Sequence, residues 1–180
     1  MRTGLKKELK WQGFGTLTAD TLIHPTADLP PVYRALAERG LADKAKVFCG
    51  HTINDREPPQ SLLGRCFDLE HIAREYDLFN RRFEKLWRST RRKKLFDPES
   101  AFTARTLLIH DYRRILLHDP DLPEDLLPVH WPGTRARKRC AAIYHVLQEA
   151  ADRWTVSVCC DEPNLLKPPD KDYRQRFSNN

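Results

Sequence analysis

Two His-Asp dipeptides, His110-Asp111 and His118-Asp119, are the first residues of this chain whose types could do chemistry. An imidazole beside a carboxylate can ligate a divalent cation, which in turn activates water for hydrolysis. Asp111 and His118 are seven residues apart, a spacing that puts two side chains on nearly one face of a helix. A metal centre needs three or four ligands, however, and nothing in the sequence fixes the others. A histidine at the end of a helix also serves the free carbonyls and the dipole there. The expectation is therefore no metal.

Arginines surround these dipeptides. Arg105 and Arg113 are eight residues apart and roughly aligned, with Arg114 beside them. With Asp111, Asp119 and Asp121 they could form a structural ion-pair network that holds the following loop. The functional alternative uses a guanidinium to grip a ligand phosphate or carbonyl through paired hydrogen bonds. Phe102, Tyr112, Trp131 and Trp154 could line a pocket for an aryl group, since such pockets are mainly apolar. Phe102 and Trp154 read as core, while Tyr112 and Trp131 stay open between the two roles. The candidate ligand set is Arg105, His110, Tyr112, Arg113, Trp131 and Arg137. No Ser/His/Asp order and no glycine-rich phosphate loop occurs, so neither an enzyme nor a cofactor is expected.

Charge is concentrated. The 180 residues carry a net +6, yet residues 81–94 alone hold eight basic side chains and one acid. Arg81, Arg82, Lys85, Arg88, Arg91, Arg92, Lys93 and Lys94 form a candidate polyanion-binding set, and Arg135, Arg137, Lys138 and Arg139 form a second basic cluster. Such blocks attract nucleic acid, acidic partners or a phosphate-rich ligand, or simply give a solvated helix face. The five cysteines (49, 66, 140, 159 and 160) are odd in number and lack CxxC spacing. That pattern suits reduced thiols in a cytoplasm. No apolar run reaches the length of a membrane span, and nothing resembling a secretory signal follows the basic N-terminus.

These residues need elements to position them. Residues 5–12 read as a helix end closed by Gly13 and Gly15. Residues 16–23, 45–51 and 62–67 read as strands, and 52–60 as a polar loop. Asp28, Asp68 and Asp97 read as N-caps, the last with Pro98 at the first helical position. The basic run 88–94 reads as a connector. A helix from Pro98 to His118 stops at Asp119-Pro120. Pro123, Pro128 and Pro132 then stiffen a loop that Leu122, Leu126, Leu127 and Trp131 could anchor. A last helix covers about 134–154. The expected organisation is α+β: a partial sheet-containing domain over 1–67, a connecting helix and basic linker over 68–94, a helical domain over 95–156, and a disordered tail over 157–180.

The run Arg105-Thr106-Leu107-Leu108, His110-Asp111-Tyr112-Arg113-Arg114, Asp119-Pro120-Asp121-Leu122-Pro123, Leu126-Leu127-Pro128 and Trp131-Pro132-Gly133 resembles the C-terminal region of the PaaX family. Leu9-Lys10-Trp11-Gln12-Gly13-Phe14-Gly15 and Ile23-His24-Pro25 resemble the family's middle domain. The resemblance covers roughly residues 1–155, and its C-terminal motif is the long and specific one. It implies a truncated ferredoxin-like domain, related to a CRISPR adaptation nuclease, followed by an all-helical domain. It also implies a homodimeric bacterial repressor of phenylacetate catabolism, relieved by phenylacetyl-CoA or a related acyl-CoA effector. In such proteins an N-terminal winged helix reads operator DNA, and both it and the first strand of the sheet are expected to be missing here. A sheet without that strand would expose an unpaired edge. The alternative is a standalone ferredoxin-like protein that interacts with nucleic acid, or a metal-dependent hydrolase. The acidic residue on which nucleolytic relatives rely would sit on the absent strand.

Overall fold

The computed structural model describes residues 2–50, 58–92 and 95–158. Among these the chain is mostly helical with one small sheet, an α+β protein. It divides into two compact units. The first comprises residues 1–73 and 115–131, the second residues 74–114 and 132–180.

In the first unit, helix α1 (Arg2–Trp11) turns Leu5 and Leu9 inward and ends at Gly13, whose φ of +87° suits glycine. The Phe14 amide closes the turn on the Leu9 carbonyl at 3.0 Å. The antiparallel strands β1 (Gly15–Thr18) and β2 (Thr21–Ile23) follow, with Thr16 opposite Leu22 and an irregularity before Thr18. Lys6 donates to the Ala19 carbonyl at the hairpin tip. Helix α2 (Leu29–Glu38) begins after Asp28 and is closed by Gly40. Its Val32 and Leu36 join Leu9 and Leu41 in a core, and Glu8 pairs with Arg39 at 2.6 Å.

Two expected strands are not strands. Residues 62–67 belong mostly to helix α3 (Pro59–Cys66), started by prolines that pre-set the first helical turn. Its Leu63 and Cys66 are buried at i, i+3 spacing, a helical stripe. Gly15 lies under its end, where a Cβ would stand 2.7 Å from the Phe67 ring. Residues 45–50 alternate like a strand, with Ala45 and Val47 packed on the core and Phe48 exposed, yet they pair with no neighbour among the described residues. Alternation sets which side chains point inward; it does not supply a ladder. His51 and residues 52–57 lie outside the described residues.

The proline-rich segment completes this unit. Asp119 accepts a hydrogen bond from the Asp121 amide at 3.0 Å, and Asp121 takes a φ of 49°. Leu122 and Trp131 are buried, while Leu126 and Leu127 are half-buried. A short 3₁₀ turn (Glu124–Leu126) rests against α3, where Gln60 donates to the Asp125 carbonyl at 2.8 Å.

The second unit is helical. Helix α4 (Leu69–Arg82) enters it at Arg74. Asp68 caps its start by accepting from the His71 amide at 3.1 Å. Helix α5 (Glu84–Thr90) takes in the first three residues of the run 88–94 expected as a connector; Arg91 and Arg92 follow in a turn. Phe83 carries the hydrogen-bond ladder across the junction. Its amide donates to the Phe79 carbonyl, and its own carbonyl accepts from the Trp87 amide. Lys and Arg are good helix formers, and Phe83 and Thr90 bury one side. Helix α6 (Pro98–Leu116) starts where Asp97 accepts from the Ser100 amide at 2.9 Å. Helix α7 (Pro132–Val158) is longer than expected at both ends. It buries Ala136, Cys140, Ile143, Tyr144, Leu147 and Ala151, while Trp154 is half-buried. The expected tail beyond Val158 lies outside the described residues.

One histidine couples the first unit to pH. His24 packs on Phe14 with ring centroids 5.1 Å apart, and its Nδ1 accepts from the Thr26 amide at 3.0 Å. Burial lowers its pKa below the ordinary value. Neutral imidazole is thus favoured in the fold, so the unfolded chain takes up its proton first. Stability is full above the unfolded pKa and declines as pH falls through that value towards the lower folded one. We expect His24→Asn, which keeps a short acceptor, to flatten the change in urea midpoint between pH 7.5 and 5.5. An unchanged slope would remove His24 from this role.

Candidate functional site

The basic run gains its geometry from the continuous ladder of α4 and α5. Arg81, Lys85 and Arg88 are spaced by four and three residues, so they form one stripe, and Arg92 follows in the turn after α5; all four are exposed. Arg74 extends that stripe by two turns and is also exposed.

Acids lie to either side of the stripe. On one side Asp77 pairs with Arg135 at 3.0 Å, and Glu84 pairs with Arg139 at 2.5 Å. Arg139 also donates to the Asn80 carbonyl, and Asn80 donates to the Pro132 carbonyl at 3.1 Å. These contacts seat the first turns of α7 against α4 and α5. They bring together the two basic clusters that are separate in sequence. On the other side Arg82 pairs with Asp111 at 2.6 Å and Arg114 with Glu75 at 3.3 Å. The Arg88 hydrogen bond, aided by the Arg139 and Arg88 charges, holds the Glu84 carboxyl below the usual range. Arg91 lies over the Trp87 ring at 5.7 Å, a cation–π contact. Among the described residues Arg81, Lys85, Arg92 and Lys138 are in no ion pair. Lys93 and Lys94 lie outside the described residues.

The candidate ligand residues are dispersed. Arg105 pairs with Asp152 at 2.6 Å, with only 12% of its side chain exposed, and lies over the Tyr144 ring. It fastens α6 to α7. Tyr112 is buried among aromatics, 5.5 Å from Phe79 and 6.4 Å from Tyr76. His110 and Arg113 are exposed on α6, and Arg137 on α7. Trp131 is buried in the first unit. Of the residues offered for an ion-pair network around the loop, Asp111 and Arg114 pair within the helical unit, with Arg82 and Glu75. Sequence reasoning missed Glu75, Asp77, Glu84 and Asp152 as partners; only Glu84 sits at a helical spacing, i to i+4 with Arg88, that could have revealed one.

Helix α6 ends at Leu116, so His118 falls beyond it and the helical alignment with Asp111 fails. Among the described residues no group of three His, Cys, Asp or Glu side chains could hold a metal ion. No described helix is long and apolar enough to cross a membrane. A shallow depression beside the last turns of α7 is lined by Glu149, Asp152, Arg153, Val156 and Ser157. Its two acids do not suit a phosphate.

A family model for the PaaX-like protein C-terminal domain matches residues 67–157, and one for the PaaX protein central Cas2-like domain matches residues 1–62. Transcriptional repressor PaaX of Escherichia coli (strain K12) is 35% identical over 178 residues, 96% of this chain. The chain spans 56% of that relative's length. Both matches fall on the elements described above, with the Gly13–Gly15 turn in the central-domain match and helices α4 to α7 in the C-terminal one, and the chain belongs to the PaaX family.

Proposed function

We propose that this chain is the effector-sensing and dimerising part of a PaaX-like repressor of phenylacetate, or related aromatic-acid, degradation. The observation that carries this reading is 35% identity to a transcriptional repressor along nearly the whole chain. In this reading the first unit follows a ferredoxin-like plan. Operator DNA is read by a winged helix outside these residues, and the protein works as a non-enzymatic homodimer in the cytoplasm. The small sheet supports the dimer: among the described residues neither β1 nor β2 pairs along its second edge, and free edges accept partner strands. The effector is phenylacetyl-CoA or a related acyl-CoA. It must bind the DNA-free conformation more tightly than the DNA-bound one, since equal affinity shifts no equilibrium.

The exposed His110, Arg113 and Arg137 of the second unit are the candidates for its polar contacts, with Arg105 and Tyr112 of the same unit as interior supports. Calorimetry should detect phenylacetyl-CoA but little phenylacetate, because the thioester carries phosphates and the free acid one carboxylate. Arg113→Ala or Arg137→Ala should weaken binding by roughly tenfold or more, the worth of one charged hydrogen bond. If the 180-residue chain joined to a winged helix binds no acyl-CoA, the sensor reading falls.

A further inference from the structure

We propose that the exposed basic stripe of α4 and α5 binds the phosphate backbone of duplex DNA without reading sequence. The stripe runs from Arg74 through Arg81 and Lys85 to Arg88, and Arg92 follows in the turn beyond α5. At the helical rise the part from Arg74 to Arg88 is about 21 Å long, a length over which one strand of B-DNA carries roughly six phosphates.

The acids nearest the stripe lie on its flanks and are mostly turned to other partners. Asp77 binds Arg135 of α7, and Glu84 binds Arg139 of α7 as well as Arg88 of the stripe; Glu75 and Asp111 bind Arg114 and Arg82. Arg81, Lys85 and Arg92 are in no ion pair among the described residues. The flank pairs also have a positioning effect. By docking Arg135 and Arg139 against α4 and α5, they hold the first turns of α7 beside the stripe. Exposed cations spread along two helices suit a long polyanion better than a small phosphate ligand, which needs a concave site.

The test is fluorescence anisotropy with a labelled duplex of about 20 base pairs, titrated with the 180-residue chain from roughly 50 to 200 mM salt. Binding should weaken steeply with salt and be alike for two unrelated sequences. The triple variant Arg81→Gln/Lys85→Gln/Arg92→Gln removes three cations that are in no ion pair among the described residues, so it leaves no acid unpaired there. It should lower the slope of log affinity against log salt by about 2–3, at roughly 0.9 per phosphate contact. It should also weaken binding at the low-salt end by at least about tenfold. The charge-matched variant Lys7→Gln/Lys10→Gln/Lys46→Gln, on exposed positions of the first unit, should change the slope by less than about 1. Equal losses in both variants would mean that net charge alone attracts the duplex, and the proposal falls. It falls too if the triple variant keeps the wild-type slope. Displacement of the duplex by micromolar coenzyme A would instead assign the stripe to a nucleotide ligand and overturn the assignment to DNA.

Discussion

Leu147→Ala is expected to lower the unfolding free energy by roughly 3–5 kcal/mol, the range for deleting a fully enclosed leucine. Leu147 has no exposed surface, nor do Ile143, Cys140 and Ala136 on the same face of α7. That face alternates bulk and small residues, with Ala150 and Ala151 beside Leu147. Small neighbours let helices approach closely, which leaves little slack to refill a vacated volume. Cys140 has no exposed surface either, and burial pushes its thiol pKa up to about 12. Urea unfolding followed by far-ultraviolet circular dichroism measures the loss. Val146→Ala, at a position 40% exposed one residue away, should cost under about 1 kcal/mol. Comparable effects at the two positions would show that the face assignment of α7 is wrong.

Arg139→Ala should destabilise by roughly 2–3 kcal/mol. Its guanidinium, with 11% of the side chain exposed, serves both the Glu84 carboxylate and the Asn80 carbonyl. Truncation leaves the Asn80 carbonyl without that donor in a buried residue, and such orphaned groups cost more than the bond itself returns. Arg139→Lys should recover only part of the loss, because one ammonium cannot reproduce the fork that spans both acceptors. Acid should weaken the contact as well. Glu84 is held below the ordinary carboxylate range, so its contribution is present above the unfolded pKa and disappears as pH falls through the folded one. The gap between thermal melts of wild type and Arg139→Ala should therefore narrow at low pH without closing, because the Asn80 carbonyl does not titrate. A constant gap from neutral pH to about pH 3 would show that the Asn80 contact and the packing of the arginine stem, not the ion pair, carry the effect.

The caps are the most legible features of the sequence. Asp68 and Asp97 act through their own side chains on an amide three residues on, an interaction local enough to be read from spacing. The stretch 62–67 reads as a strand because its apolar residues come in adjacent pairs, Leu62-Leu63 and Cys66-Phe67, which fit either period. Proline at the start of α3 is the stronger sign. The basic run conceals α5, because its charge stands out more than the buried spacing of Phe83 and Thr90. For the candidate site, the cations are evident but their partners are not. Arg105 meets Asp152 across 47 residues and Arg135 meets Asp77 across 58, and no local rule announces a pair at that separation.

The division of the chain has a consequence for its synthesis. Each compact unit is assembled from two stretches that alternate along the sequence, 1–73 with 115–131 and 74–114 with 132–180. A ribosome releases residues in order, and domains tend to fold as they emerge. Here the first unit waits for Gln60 to meet Asp125, 65 residues later. Until then α3 lacks the turn that covers it, and the nascent chain carries an unfinished hydrophobic face. The second unit likewise waits for α7. Vectorial folding of the amino-terminal part is thus deferred until most of the chain has been translated, and a ribosome pausing before residue 131 would hold both units incomplete.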